Sequence, residues 1–157
     1  MRQAIAKNAW LVINFREDVG ESCLNTKRMA RILDHIDLRV RRLANVQAFY
    51  EALLPALGFT RDASIEGWFQ FEADSGAVTE FFGITESPNH VPNETRIAFW
   101  AESIHEVDRL TAIITTAGAR HIEGPAFETP SYYAVFFEDP CGNRLEICHR
   151  TSSATES

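Results

Sequence analysis

Cysteine is scarce in this chain: Cys23, Cys141 and Cys148 are the only three in 157 residues. An odd number without paired spacing excludes a disulfide framework and a zinc knuckle, so the expectation is free thiols in a reducing cytoplasm. Long apolar runs are missing too. Trp10-Leu11-Val12-Ile13 is too short for a secretory core and is closed by charge at Arg16-Glu17-Asp18. Nothing approaches the roughly 20 apolar residues of a membrane-spanning helix. Positive charge is in deficit, with 15 Lys and Arg against 22 Asp and Glu and a net charge of -7. That balance argues against nucleic acid as a partner, because phosphate binding wants a positive field. The chain also has no phosphate loop, no dinucleotide-binding glycine fingerprint and no Ser-His-Asp ordering.

What is present is enough apolar sequence for one folded domain, 45% of residues, and a plan stated twice. Asp34-His35-Ile36-Asp37-Leu38-Arg39-Val40 opens a segment that continues through a helical stripe, with Leu43, Val46, Phe49, Tyr50, Leu53, Leu54 and Leu57 at three- and four-residue steps, to Gly58. Pro55 should distort the last turn of that helix. Thr95-Arg96-Ile97-Ala98-Phe99-Trp100-Ala101 opens a second segment, with a capping pair Ser103/Glu106, a stripe of Val107, Leu110, Ile113 and Ile114, and a stop at Gly118. Short strands follow each helix, near 59–65, 68–73 and 77–84 in the first half. In the second half they fall near 120–123, from Tyr132 to Phe137 and from Arg144 to His149. The predicted fold is α+β: two βαβββ modules, 31–84 and 95–150, whose curved sheets share a concave site. Residues 1–30 form an N-terminal extension that either adds one strand, Trp10 to Phe15, or precedes a true start at Met29. Residues 151–157 read as a flexible tail.

Strand alternation sorts the side chains. His35, Asp37 and Arg39 share one face of the first strand, and Arg96, Ala98 and Trp100 share one face of its counterpart. Glu80 and Phe82 share a face, as do Arg144, Glu146 and Cys148. A lone carboxylate inside an apolar strand is costly unless it is paired or liganded, so Glu80 and Glu146 are the strongest positional signals. The expected cup holds His35, Glu80, Arg96 and Glu146, ringed by Asp37, Arg39, Arg144, Trp100, Phe82 and either Tyr132 or Tyr133. His105 should face solvent, His121 sits on a strand or an edge, and His149 should point away from Glu146.

These features together resemble the vicinal oxygen chelate superfamily, which includes glyoxalases, extradiol dioxygenases, fosfomycin-resistance enzymes and bleomycin-resistance proteins. The resemblance covers about residues 31–150. It rests on Leu33-Asp34-His35-Ile36-Asp37-Leu38-Arg39-Val40, the Phe49-Tyr50-Glu51 to Leu57-Gly58-Phe59 helix end, Ile97-Ala98-Phe99 and Glu138-Asp139-Pro140-Cys141-Gly142-Asn143-Arg144-Leu145-Glu146. It implies a divalent metal between paired sheets, with His35, Glu80 and Glu146 on three ligand positions. The fourth position, a histidine in the family, is Arg96 here. A guanidinium offers no lone pair to a metal. Two states follow as alternatives. Either Arg96 replaces the metal by bridging the two carboxylates, or the remaining donors, with His90 as a candidate substitute ligand, hold zinc, nickel or manganese weakly. On this reading Arg96→His would complete a four-ligand set.

The resemblance therefore implies one of two functions for a cytoplasmic homodimer that binds a small molecule in the cup. The first is a lyase, isomerase or dioxygenase with a degenerate metal site, in which Glu146, Glu80, Arg96 and His35 are the catalytic candidates. The second is a non-catalytic protein that binds or sequesters its ligand without a metal.

Overall fold

The computed structural model describes residues 33–73 and 79–151. Contacts divide the chain into two units, Met1–Ala30 and Arg31–Ser157, and the described residues all belong to the second. The readings of an extra strand at Trp10, a start at Met29, Cys23 and a flexible tail after residue 151 lie outside them.

The first module runs β1 (His35–Val40), a short 3-10 turn (Leu43–Asn45), α1 (Gln47–Ala56), β2 (Arg61–Asp62), β3 (Trp68–Ala73) and β4 (Glu80–Glu86). The second runs β5 (Arg96–Trp100), α2 (Ile104–Ala117), β6 (Arg120–Thr129), β7 (Tyr132–Glu138) and β8 (Arg144–Arg150). The two sheets have the same topology, in orders β1-β4-β3-β2 and β5-β8-β7-β6. In each, the opening strand lies parallel to the last one. The duplicated βαβββ plan is therefore what the chain adopts.

Local chemistry accounts for the boundaries. Ser103 caps α2 by accepting from the Glu106 amide at 3.1 Å. The Glu106 carboxylate reaches back to the Glu102 amide at 2.8 Å, so Ser103 satisfies a donor that the helix start leaves over and Glu106 ties down the residue before the cap. Gly118 ends α2 at φ 98°, a left-handed conformation that a side chain disfavours. Pro55 is accommodated in the final turn of α1. One expectation was short: β6 is a ten-residue strand that continues through Gly124-Pro125, where the sequence suggests a loop. Its pairing with β7 survives there through register shifts rather than in regular alternation.

Both helices and the helix-facing sides of both sheets share one core. Val40, Val46, Phe49, Leu53 and Leu54 of the first module join Val107, Leu110, Ile114, Leu145 and Ile147 of the second. Phe82 and Phe99 meet across the modules with ring centroids 5.6 Å apart. This arrangement leaves the opposite side of each sheet for polar chemistry.

Candidate functional site

Register decides which residues reach that polar side. In the second module Arg96 stands opposite Arg144, Ala98 opposite Glu146 and Trp100 opposite Cys148. On the other flank of β8, Phe136 pairs Glu146, Glu138 pairs Arg144 and Tyr132 pairs Arg150. All of these share one face, while Leu145 and Ile147 alternate into the core.

Glu146 is the buried carboxylate of this face, 6% exposed. The Tyr132 hydroxyl donates to it. The Arg96 guanidinium lies 3.9 Å from its Oε2 and rests over the Phe136 ring, 4.5 Å from the centroid. Phe136 thus holds the cation flat, a role the sequence did not disclose. Burial raises the pKa of the Glu146 carboxyl, and Arg96 opposes the shift without cancelling it. Cys148 beside it is also raised, first by burial and then by Glu146, which suits a packed thiol rather than a nucleophile. Tyr132 stacks beneath Arg150 at 4.3 Å. Tyr133 takes the other face and donates to Asp108 of α2 at 2.9 Å. Trp100 sits on the site face with two-thirds of its surface open.

The raised carboxyl has a measurable consequence. Above the ordinary value of 4.5 and below its raised one, folded Glu146 keeps a proton that the unfolded chain has released. Stability must then fall as pH rises through that window. Glu146→Gln cannot titrate. The expected result is that its stability, measured by urea midpoints, rises relative to the wild type as pH increases from about 4.5. A difference between the two proteins that stays constant with pH would show that Glu146 is not shifted.

The first module departs from expectation. His35 does lie on the polar side, where its Nδ1–H donates to Asp34 at 2.8 Å and its ring stacks on Phe81 at 4.4 Å. Because His35 is in register with Phe81, Glu80 and Phe82 belong to the opposite, helix-facing side. Phe82 is 1% exposed and part of the core rather than a wall of the cup. Glu80 opens β4 at an exposed position and does not share a face with His35. The position equivalent to Glu146 is Gly83: Asp37 stands opposite Gly83 as Ala98 stands opposite Glu146. A Cβ placed on Gly83 would come within 2.8 Å of Trp68 Nε1. The indole occupies the space where a carboxylate would project, and its N–H is buried without a hydrogen-bond partner among the described residues. A glycine inside an apolar strand is the sequence signal for such a close approach.

The four corresponding positions are thus His35, Gly83, Arg96 and Glu146. One has no side chain and one carries a permanent cation. Among the described residues no group of three or more His, Cys, Asp and Glu is placed to hold a metal. The donor set does not fit a resident divalent ion. Arg96→His would add one donor without supplying the missing module-one carboxylate, so the four-ligand expectation for that variant does not stand. His90 is used elsewhere: its Nε2 lies 3.0 Å from Asn143 Oδ1.

Two cavities flank these residues. One, of about 340 Å³, lies at the seam between modules against Asp37, Arg39, His90, Asn143 and Arg144. Arg39 is tied to Asp37 at 2.6 Å there. The other, of about 350 Å³, lies on the second module against Arg96, Phe136, Glu138 and Arg144. Arg144 borders both. His105 is exposed, and His149 donates from Nδ1 to the Ala101 carbonyl at 2.8 Å, away from Glu146.

Comparison with known proteins agrees with this architecture. Residues 32–147 match the family model described as Glyoxalase/Bleomycin resistance protein/Dioxygenase superfamily. A glyoxalase/bleomycin resistance protein from Albidiferax ferrireducens T118 superposes with a TM-score of 0.62 at 26% identity, over 76% of this chain and 98% of that one. The fosfomycin resistance protein FosX from Mesorhizobium loti gives 0.59 at 17% identity, over 82% and 100%. FosX from Listeria monocytogenes gives 0.59 at 21%, over 78% and 96%. No curated protein matches the sequence. With two βαβββ modules in matching topology and a family model spanning both, this chain belongs to the Glyoxalase/Bleomycin resistance protein/Dioxygenase superfamily.

Proposed function

We propose that this protein binds a small anionic molecule on the polar face of the second module, without a resident metal, and that it does so as a cytoplasmic homodimer. The observation that carries the reading is Arg96. Its guanidinium is oriented by Phe136, yet it is only loosely paired with a carboxylate whose pKa is raised. It therefore keeps N–H donors for an oxyanion, and a planar fork suits a carboxylate or phosphonate. Trp100, on the same face and largely open, supplies apolar area for the rest of the ligand. The FosX neighbours, being fosfomycin resistance proteins, support a small-molecule ligand.

Calorimetry of chelator-treated protein with benzoate and methylphosphonate tests this. The expected result is saturable binding that chelation does not affect and that Arg96→Gln weakens by about tenfold or more, the worth of one charge-assisted hydrogen bond. Binding that requires added divalent metal, or that ignores Arg96, would overturn it. Light scattering on the same sample should give twice the chain mass, and a monomer at micromolar concentration would remove the dimer.

A further inference from the structure

The second-module cavity has a feature that neither the family pattern nor the binding reading uses. Arg120 of β6 pairs Glu138 of β7, and the next paired residue is Glu123, opposite Phe136. Three steps along β6 are matched by two along β7, so one extra residue is bulged out. His121 lies in that bulge with φ 48°. The left-handed region is uncommon for a residue with a side chain, and its cost must be met by the surrounding structure. Regular alternation would send His121 to the face opposite Arg120 and Glu138. The bulge turns it back, and its Nδ1 lies 2.8 Å from Glu138 Oε2. The pair is exposed, with 65% of the His121 side chain open, and an exposed ion pair adds little stability. A strained backbone held for a contact of little structural worth points to chemistry.

The contact also fixes the tautomer. An ionised carboxylate only accepts, so Nδ1 carries the ring proton and the neutral imidazole presents a bare lone pair at Nε2. His121, Arg96, Arg144, Glu123, Glu138 and Phe136 line one cavity of about 350 Å³. Glu138 is engaged by His121, and among the described residues no carboxylate is in direct ion-pair contact with Arg144, so its guanidinium keeps N–H donors for a ligand. Glu123 is the other carboxylate on the rim.

Resting on the binding reading above, we propose that His121 is the acid–base residue of this cavity, oriented by Glu138, for a small ligand whose oxyanion is held by Arg96 and Arg144. In the step, a hydroxyl or activated C–H of the ligand gives its proton to His121 Nε2. The bond to hydrogen breaks, its electron pair stays on the ligand beside Arg144, and the new imidazolium is paired with Glu138. Return of the proton completes the cycle with no other reactant.

The test is nitrogen-resolved NMR of the His121 ring and of the Arg96 and Arg144 guanidinium groups in the full-length protein, with inorganic phosphate as probe. The neutral wild-type ring should be protonated at Nδ1, and Glu138→Gln should shift it toward the Nε2-protonated form. Phosphate should move the ring and both guanidinium signals with one saturation curve, and Arg144→Gln should weaken that curve about tenfold. A wild-type ring protonated at Nε2, or one indifferent to Glu138→Gln, overturns the proposal. So do guanidinium signals that respond to phosphate while the ring stays silent. If benzoate binds through Arg96 and phosphate moves nothing, this inference falls and the binding reading stands. If benzoate fails as well, both fall.

Discussion

Replacing Asp139 by Ala should cost about 3–5 kcal/mol of folding stability, a large share of the total for a domain of this size. The carboxylate is fully buried and accepts four hydrogen bonds. Tyr50 Oη–H and Asn143 Nδ2–H reach Oδ2 at 2.8 and 2.9 Å. The Cys141 and Asn143 amides reach Oδ1 at 2.8 and 2.9 Å. Asn143 Nδ2 also donates to the Arg39 carbonyl at 3.2 Å, so the cluster joins β8's entry turn to β1 and to α1. Burial and the neighbouring Asp139 hold the Tyr50 phenol well above its ordinary pKa, which favours the protonated form that donates. Removing the carboxylate strands that donor in the core and loosens the turn that delivers Arg144 and Glu146 to the site. Tyr50→Phe deletes the donor itself but takes one of four bonds from the buried carboxylate, and should cost less, about 1.5–3 kcal/mol. Urea unfolding of the two single variants and the double variant measures the coupling. A loss below about 1 kcal/mol for Asp139→Ala would mean the carboxylate is not the hub of this junction.

Phe82→Ala should be as severe, about 3–5 kcal/mol, because it opens a cavity where the two modules meet. The ring lies 5.9 Å from Tyr50, 6.3 Å from Phe59 and 5.6 Å from Phe99, and none of it reaches solvent to a useful extent. Trp100→Ala, at an open position, should stay within about 0.5 kcal/mol while weakening ligand binding. Thermal or urea denaturation beside calorimetry separates the two roles. If Phe82→Ala were stable but poor in ligand binding, the ring would belong to the cup and the register of β4 would be one residue away from that observed.

That register marks the boundary of what the amino-acid order alone could settle. The duplicated modules, the Ser103 cap, the Gly118 stop and the opening strands are local matters of periodicity, capping and backbone freedom, and each was legible. So was the pairing of Arg96 with Glu146, since both lie on adjacent strands of one module and alternation puts them on a polar face. The side of the sheet that Glu80 takes is different. Alternation says that Glu80 and Phe82 share a face, but only pairing with β1, His35 against Phe81, says which face. A shift of one residue exchanges core for site, and it is chosen by packing of Phe82 and Ile84 against helices distant in the chain. The same holds for Gly83, where the Trp68 indole stands in place of a carboxylate. It holds also for His121, which reaches Glu138 only because an extra residue in β6 breaks the alternation on which any reading of a single strand depends. Local order writes the elements, whereas register and bulges, set by contacts between strands far apart in sequence, decide which side chains face one another.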